Sequence, residues 1–357
     1  MNNLGKLKNA VNGAEFDALL LVSSVNRLYA TGFSSSSGYV LVTGTDAFFI
    51  TDSRYIEAAR AAVSDAEVLQ QTAEDKPAAI LNRLISELGV RTLAIEENSL
   101  TYSEFLAFSS VLKSELVKSG GLVDRLRNVK SEEELAAMIE AQRIAEKAFL
   151  RLLPELSREL TEKQVANRLL FHMLDCGADD KSFDTIAVSG ANSSRPHGVP
   201  SDEKLARGFL TIDFGAKKNG WVSDTTRTVY LGWQGKPSDE ERRVYDTVLQ
   251  AQLAGIAAIR AGIPGCEVDG AARQVIQAAG YGEYFGHGFG HGLGLEVHEA
   301  LSASVNVKTP LPEGGVISAE PGIYLPGRFG VRIEDVVYVE KDGCRDITEL
   351  CRELIVL

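Results

Sequence analysis

The residues of this sequence best suited to chemistry are its histidines, and they are unevenly placed. Of five, none precedes His172 and three fall in Gly286-His287-Gly288-Phe289-Gly290-His291-Gly292-Leu293-Gly294-Leu295-Glu296-Val297-His298-Glu299. Each of the alternating glycines would cost a helix about 1 kcal/mol relative to alanine, so His287 and His291 are not the i, i+4 pair of a helical zinc site; HExxH is absent as well. In an extended segment, glycine lets the backbone approach a ligand or a neighbouring strand while imidazoles project into a cleft. A lone histidine is more often structural, but three in such a stretch favour function. His291 and His298 stand seven residues apart and need not share one metal.

Carboxylates supply the complementary chemistry. Leu210 to Tyr230 reads as a hairpin turning at Asn219-Gly220. A two-residue loop sets Lys218 opposite Trp221, Asp213 opposite Thr226 and Asp224 opposite Gly215. Asp213 and Asp224 are then diagonal neighbours on one face, with Cβ atoms about 7 Å apart or a little less. That spacing suits a pair of cations about 3.5 to 4 Å apart; for the hairpin alone, a turn-flanking and a solvated aspartate is the plainer alternative. Glu320 ends an apolar strand just before the turn signal Pro321-Gly322. Across Gly330 to Val339, alternation puts Arg332 and Glu334 on one face and Val331, Ile333, Val337 and Val339 on the other with Asp335. An exposed edge strand with an Arg-Glu pair is the alternative there.

Two Asp, at least one His and two Glu on β segments make an oxygen-rich set that fits Mn, Co, Zn or Fe better than a thiolate-type structural zinc site. A two-cation centre of this kind brings the pKa of water toward about 7 and polarises a carbonyl or phosphoryl group, which makes hydrolysis the natural reaction. No Walker A loop, no GxGxxG after a strand and no GxSxG elbow is present.

Elements must bring these residues together. Phe16 to Val22, Tyr39 to Val42, Ala47 to Thr51 and Thr92 to Ile95 read as strands, and Ala78 to Leu88 as a helix before Gly89. Ser131-Glu132-Glu133-Glu134 is a capping box opening a helix through Phe149. Further helices are expected at Asp239 to Arg260 and at Val268 to Ala279, the latter ended by Gly280. The spacing predicts an α/β unit over residues 1–127, then a larger α+β unit over 128–357 that holds all the candidate chemistry.

Composition narrows the class. The chain has 357 residues, 45% of them hydrophobic, enough for real cores. A net charge of −12 offers no general attraction for nucleic acid or anionic lipid. The N-terminus shows no apolar core of a secretory signal, and no run approaches the roughly 20 apolar residues of a membrane span, so a cytoplasmic location is expected. Four cysteines without CxxC spacing read as reduced, structural thiols.

The ordered set Asp213, Asp224, His291, Glu320, Glu334, within IDFGAKKNGWVSDTTRTV, GHGFGHGLGLEVHE, SAEPGIYLPG and GVRIEDVV, resembles the pita-bread metallopeptidases. Within that family the chain is most similar to the Xaa-Pro branch, aminopeptidase P and prolidase. ITDSRY at Ile50 to Tyr55 is similar to a motif of the creatinase-type N-terminal α/β domain that precedes the catalytic domain there, so the resemblance spans nearly the whole chain.

The resemblance implies two divalent metal ions, Mn, Co or Zn. Asp213 would chelate one, Asp224 and Glu334 would bridge both, and His291 and Glu320 would complete the ligands of the second ion. It further implies that Glu320 shuttles a proton, that His197 lines the site near the scissile amide, and that His298 bonds the carbonyl or oxyanion. His287 would stand near the proline pocket, with Arg332 and Tyr324 orienting groups around the substrate. After His298-Glu299 many relatives continue with Pro-Arg, where this chain reads Ala300-Leu301-Ser302. If that arginine clamps a dipeptide carboxylate, its absence favours an Xaa-Pro aminopeptidase over a strict Xaa-Pro dipeptidase. The expected partners are peptides with proline at the second position, and a homodimer is expected as in relatives. A non-catalytic binding protein on the same scaffold would have lost ligands, and a creatinase-like C–N hydrolase works without metal. His172, between Phe171 and Met173 in a helical stretch, is left as structural.

Overall fold

Short apolar runs bounded by turn residues organise the first third of the chain into one sheet. The computed structural model describes residues 2–233 and 235–357, and the chain divides into two units, Met1–Arg127 and Asn128–Leu357. In the first, six strands lie in the order Glu67–Gln70, Ala47–Thr51, Tyr39–Thr43, Ala18–Leu21, Thr92–Ile95, Glu115–Lys118. Ala18–Leu21 is central, antiparallel to Tyr39–Thr43 and parallel to Thr92–Ile95, with all four residues buried. The helix before Gly89 spans Pro77–Leu88, and Gly89 closes it in the left-handed region at φ 68°. The outer strands Glu67–Gln70 and Glu115–Lys118 have no fully buried residue, and so no apolar alternation announces them.

The second unit opens with the capping box. Ser131 Oγ accepts the Glu134 N–H, the Glu134 carboxylate accepts the Ser131 N–H at 2.8 Å, and the helix runs Glu132–Leu152. Its inner face carries Phe149, which stacks on Phe214 with ring centroids 5.3 Å apart and so fastens the helix to the strand bearing Asp213. Helices Asp239–Ala258 and Gly265–Ala278 cover a second core built from Phe209, Tyr245, Phe289, Ile317 and Ile333.

Between these helices lie the strands that carry the candidate site. Ile186–Ser189, Gly208–Phe214 and Thr225–Leu231 form one sheet; Glu299–Ala303, Gly290–Gly292, Val316–Ala319, Asp335–Val339 and Cys344–Asp346 form another; Gly322–Leu325 and Phe329–Arg332 make a ribbon. The hairpin register is the expected one, Asp213 opposite Thr226 and Lys218 opposite Trp221, about a turn with positive φ at Asn219 and Gly220.

Two expectations need correction. The hairpin is not one continuous ribbon. It is interrupted at Gly215, where a Cβ would lie 2.0 Å from the Ser223 carbonyl, so the chain must pinch there and the two ends join different sheets. Nor is Gly330 to Val339 a single strand. Phe329–Arg332 pairs with Gly322–Leu325, Asp335–Val339 joins the five-stranded sheet, and Ile333-Glu334 is the crossing. Buried Arg227 fixes that crossing: its guanidinium donates to the carbonyls of Thr226, Glu334, Leu350 and Cys351 and to the Asp335 carboxylate. Asp335 therefore shares the inward face of apolar neighbours because its charge is matched there.

Close packing behind the site yields a stability prediction. A Cβ on Gly255 would lie 2.2 Å from Phe289 Cε2, an atom with no room to retreat. Gly255→Ala gains about 1 kcal/mol of helix propensity, yet overpacking costs about 1–3 kcal/mol. Urea unfolding is expected to show a net loss of stability; an unchanged or raised midpoint would mean that Phe289 yields freely.

Candidate active site

Asp213 is the penultimate residue of the strand Gly208–Phe214, and Asp224 lies just across the pinch at Gly215. His291 comes from the short strand Gly290–Gly292. A Cβ at Gly290 would stand 1.9 Å from the Ser318 carbonyl, so glycine is what allows the two strands to approach. One hydroxyl then sets two groups: Ser318 Oγ accepts the His291 N–H and donates to Glu320 Oε1, both at 3.0 Å. Glu334, at the crossing, has its N–H on the Thr226 carbonyl at 3.1 Å and receives the Thr226 hydroxyl at 2.7 Å.

These side chains share a cavity of about 660 Å³. Its wall includes Asp213, Asp224, His291, Glu320, Glu334, Arg332 and the histidines 197, 287 and 298. His298 packs on His291 with ring centroids 4.2 Å apart. Tyr324 lies behind the wall, its hydroxyl between His287 Nε2 at 3.0 Å and Arg332 Nη1 at 2.9 Å. Arg332 also donates to Asp213 Oδ2 at 2.6 Å, to Thr226 Oγ1 at 3.0 Å and to the Pro196 carbonyl at 3.1 Å. His172 is elsewhere, bonded to Glu155 at 2.8 Å on the helix Glu162–Asp175.

Burial is the dominant electrostatic fact. It raises the carboxyl of Asp224 well above the usual range, with Asp213 and Glu320 adding repulsion. Burial and then Asp224 do the same to Glu334. Glu320 is pushed up to about 7, by burial against the opposing pull of Arg332. Burial also lowers His291 and His298, and His287 to about 4 with help from Arg332. All three imidazoles are therefore neutral at pH 7.

Tautomers follow from the hydrogen bonds. His287 Nδ1 faces the Gly288 carbonyl at 2.8 Å, so it carries the proton, and Nε2 accepts from Tyr324. His291 Nδ1 faces the Gly292 carbonyl at 3.2 Å, which leaves an Nε2 lone pair aimed at Glu320 Oε1 at 3.2 Å and Asp224 Oδ2 at 3.6 Å. A lone pair pointed at two carboxylates calls for a cation between them. Two further observations agree. Donor atoms of Asp224, His291 and Glu334 lie within 4.8 Å of one another, and Asp213 Oδ1 is buried with no hydrogen-bond partner. The donor set thus fits divalent metal.

Sequence reasoning did not single out Thr226 or Ser318, although both were accessible to it. Thr226 is the register partner of Asp213, and Ser318 shares a strand face with Glu320 by the two-residue period. Phe183 and Asp184, also on the cavity wall, sit in a segment with no motif to mark them.

Two sequence families cover the chain: the Creatinase/Prolidase N-terminal domain matches residues 4–129, and Metallopeptidase family M24 matches residues 136–341. The chain is 42% identical to the uncharacterized peptidase YqhT of Bacillus subtilis (strain 168) over 99% of both chains. Among solved structures it superposes on an Xaa-Pro dipeptidase from Bacillus anthracis with a TM-score of 0.94 at 40% identity, covering 99% of each chain. An X-Pro aminopeptidase from Thermotoga maritima gives a TM-score of 0.91 at 36% identity, over 98% of this chain and 100% of the other. Among the described residues, no helix is long and apolar enough to cross a membrane.

Two outcomes are expected of the site. Asp224→Asn removes one negative donor and should cut bound divalent metal, measured by elemental analysis after dialysis, by at least about tenfold; full metal occupancy would exclude Asp224 as a ligand. The second concerns pH. Because Glu320 has a folded-state pKa of about 7 against an ordinary 4.5, this carboxyl binds its proton more tightly in the metal-free folded protein than in the unfolded chain. That stabilising contribution is complete below about pH 4.5 and fades as pH rises through 7. In chelator the melting temperature of the wild type, taken relative to that of Glu320→Gln, should therefore be lower at pH 8 than at pH 6, and added Mn²⁺ should close the gap; a difference that rises over that interval contradicts it.

Proposed function

The chain belongs to metallopeptidase family M24, and from that premise we propose that it is an Xaa-Pro aminopeptidase, releasing the first residue from peptides with proline in second position. Its fold is the α+β pita-bread catalytic domain preceded by a creatinase-type α/β domain. The observation that supports aminopeptidase over strict dipeptidase action is the charge of the cavity wall. Among the described residues lining it, Arg332 is the one guanidinium or ammonium, and its donors are taken by Asp213, Tyr324, Thr226 and the Pro196 carbonyl. With His287, His291 and His298 neutral, the carboxylate of an Xaa-Pro dipeptide meets no free guanidinium or ammonium group, and an uncompensated charge is costly to desolvate. The amide of a longer peptide has no such need. Ser302 faces this cavity and Leu301 is buried in the core, so the Ala300-Leu301-Ser302 segment adds no positive group.

Asp213, Asp224, His291, Glu320 and Glu334 would hold two divalent cations. Bound there, such ions bring the pKa of water toward about 7 and polarise the scissile carbonyl. The chain's own groups do the rest. Glu320, with Oε1 oriented by Ser318, takes the proton of the attacking water and returns it to the proline nitrogen as the amide breaks. Neutral His298 donates a hydrogen bond to the oxyanion that develops on the carbonyl. His197 lines the wall beside the scissile amide. His287, edge-on to Phe285 at 5.1 Å, presents a neutral ring to the apolar pyrrolidine. Arg332 holds Asp213 Oδ2, which leaves Oδ1 to face the cavity.

The deciding experiment strips the metal, restores Mn, Co or Zn singly, and follows release of the first residue from Xaa-Pro, Xaa-Pro-Yaa and Xaa-Ala-Yaa peptides. Cleavage of Xaa-Pro-Yaa at a higher kcat/KM than Xaa-Pro is expected. Activity confined to Xaa-Pro would make the protein a dipeptidase, and no metal-dependent cleavage of any proline peptide would remove the reading altogether. In the same assay His298→Ala should lower kcat by about 10²- to 10³-fold with metal content unchanged; a loss confined to KM would deny it the oxyanion role.

A further inference from the structure

Outside the cavity, one buried acid is tied to the wall by an unusual number of bonds. Glu162 is the first residue of the helix Glu162–Asp175, which Thr161 caps. An acid in a first helical turn ordinarily points to solvent and complements the helix dipole. Glu162 is instead 2% exposed, with its carboxylate turned toward the 189–201 segment. Oε1 accepts from the Ser189 N–H at 2.6 Å and the Ser189 hydroxyl at 3.2 Å. Oε2 accepts from Asn192 Nδ2 at 2.8 Å, the Ser201 N–H at 3.0 Å and the Ser201 hydroxyl at 2.7 Å.

These five donors straddle His197. The segment between them is braced from within, Asn192 Nδ2 also reaching the Val199 carbonyl at 3.2 Å and the Gly198 N–H the Arg195 carbonyl at 3.0 Å. Its far side meets Arg332 through the Pro196 carbonyl at 3.1 Å. His197 itself is solvent-exposed and its ring has no hydrogen bond among the described residues, so its place on the wall is set by the backbone that carries it. Glu162 does not line the cavity.

We propose that Glu162 is a positioning residue for the peptidase reaction: its carboxylate clamps both ends of the 189–201 segment and thereby holds His197 at the substrate. The inference rests on the substrate-side role given to His197 above. A carboxylate suits the task because it offers acceptors only, and all five partners are donors. Glu162→Gln keeps the shape but turns an NH₂ group toward donors; Glu162→Asp keeps the charge and shortens the reach by one methylene.

The test is a double-mutant cycle on Xaa-Pro-Yaa cleavage in the metal-loaded full-length enzyme, with Glu162→Gln, His197→Ala and the double variant. Glu162→Gln should lose about 10- to 100-fold in kcat/KM at wild-type metal content, with Glu162→Asp recovering part of it. In the His197→Ala background the same change should cost under about twofold, because the group it positions is gone. Wild-type activity of Glu162→Gln, a loss explained by lost metal, or an undiminished loss in the His197→Ala background overturns the proposal. Should Glu162→Gln not fold, the cycle with Glu162→Asp decides by the same criterion. Full activity of His197→Ala alone would instead overturn the role of His197, and this inference with it.

Discussion

Crowding of carboxylates in one buried cavity is the constraint on which the rest of the structure depends. Asp213, Asp224, Glu320 and Glu334 line one cavity with His291, and burial and mutual repulsion oppose the ionisation of Asp224, Glu320 and Glu334. Such a set is costly to assemble unless positive charge is supplied. Arg332 supplies one share permanently, through Asp213. Divalent cations are the natural source of the remainder. No single strand could impose this geometry, which is why four separate backbone segments are needed.

The means of imposing it is a second, buried layer beneath the first, built on an ion pair. Arg227 and Asp335 are both buried and bonded at 2.6 Å, and Gln252 adds bonds to the Asp335 carboxylate and the Ala319 carbonyl, both at 3.1 Å. That layer locks Ala319, just before Glu320, and the Glu334 carbonyl with Asp335 after it, without lining the cavity. Neutral histidines complete the arrangement. Because burial keeps His287, His291 and His298 uncharged, these rings present lone pairs and neutral N–H groups to the cavity, and Arg332, the one guanidinium or ammonium among the described residues lining it, is held by Asp213.

Much of this was legible in the residue order, and for definite reasons. The Asn219-Gly220 turn fixes the hairpin register, so the pairing of Asp213 with Thr226 follows from counting. The capping box at Ser131 and the left-handed Gly89 mark helix ends because unsatisfied backbone groups there demand particular side chains. The glycine-alternating stretch around His291 declares close strand contact, and Gly290 against Ser318 is that contact. Other features left no local trace. The break of Gly330 to Val339 at Ile333-Glu334 depends on Arg227, more than a hundred residues away in sequence. Glu162 looks like any acidic residue opening a helix until the 189–201 segment folds over it.

The sequence by itself determined the chemistry: which donors exist, that they are carboxylates and imidazoles on β segments, and that they suit divalent metal and hydrolysis. Those properties belong to residue types and short spacings, which local sterics and hydrogen bonding fix. Only the tertiary structure decided which of these groups are charged, which are oriented and which are committed. Protonation, tautomer and the availability of Arg332 depend on burial and on partners that meet solely when distant strands pack, because electrostatic energies are set by the surrounding medium and by distance rather than by order along the chain.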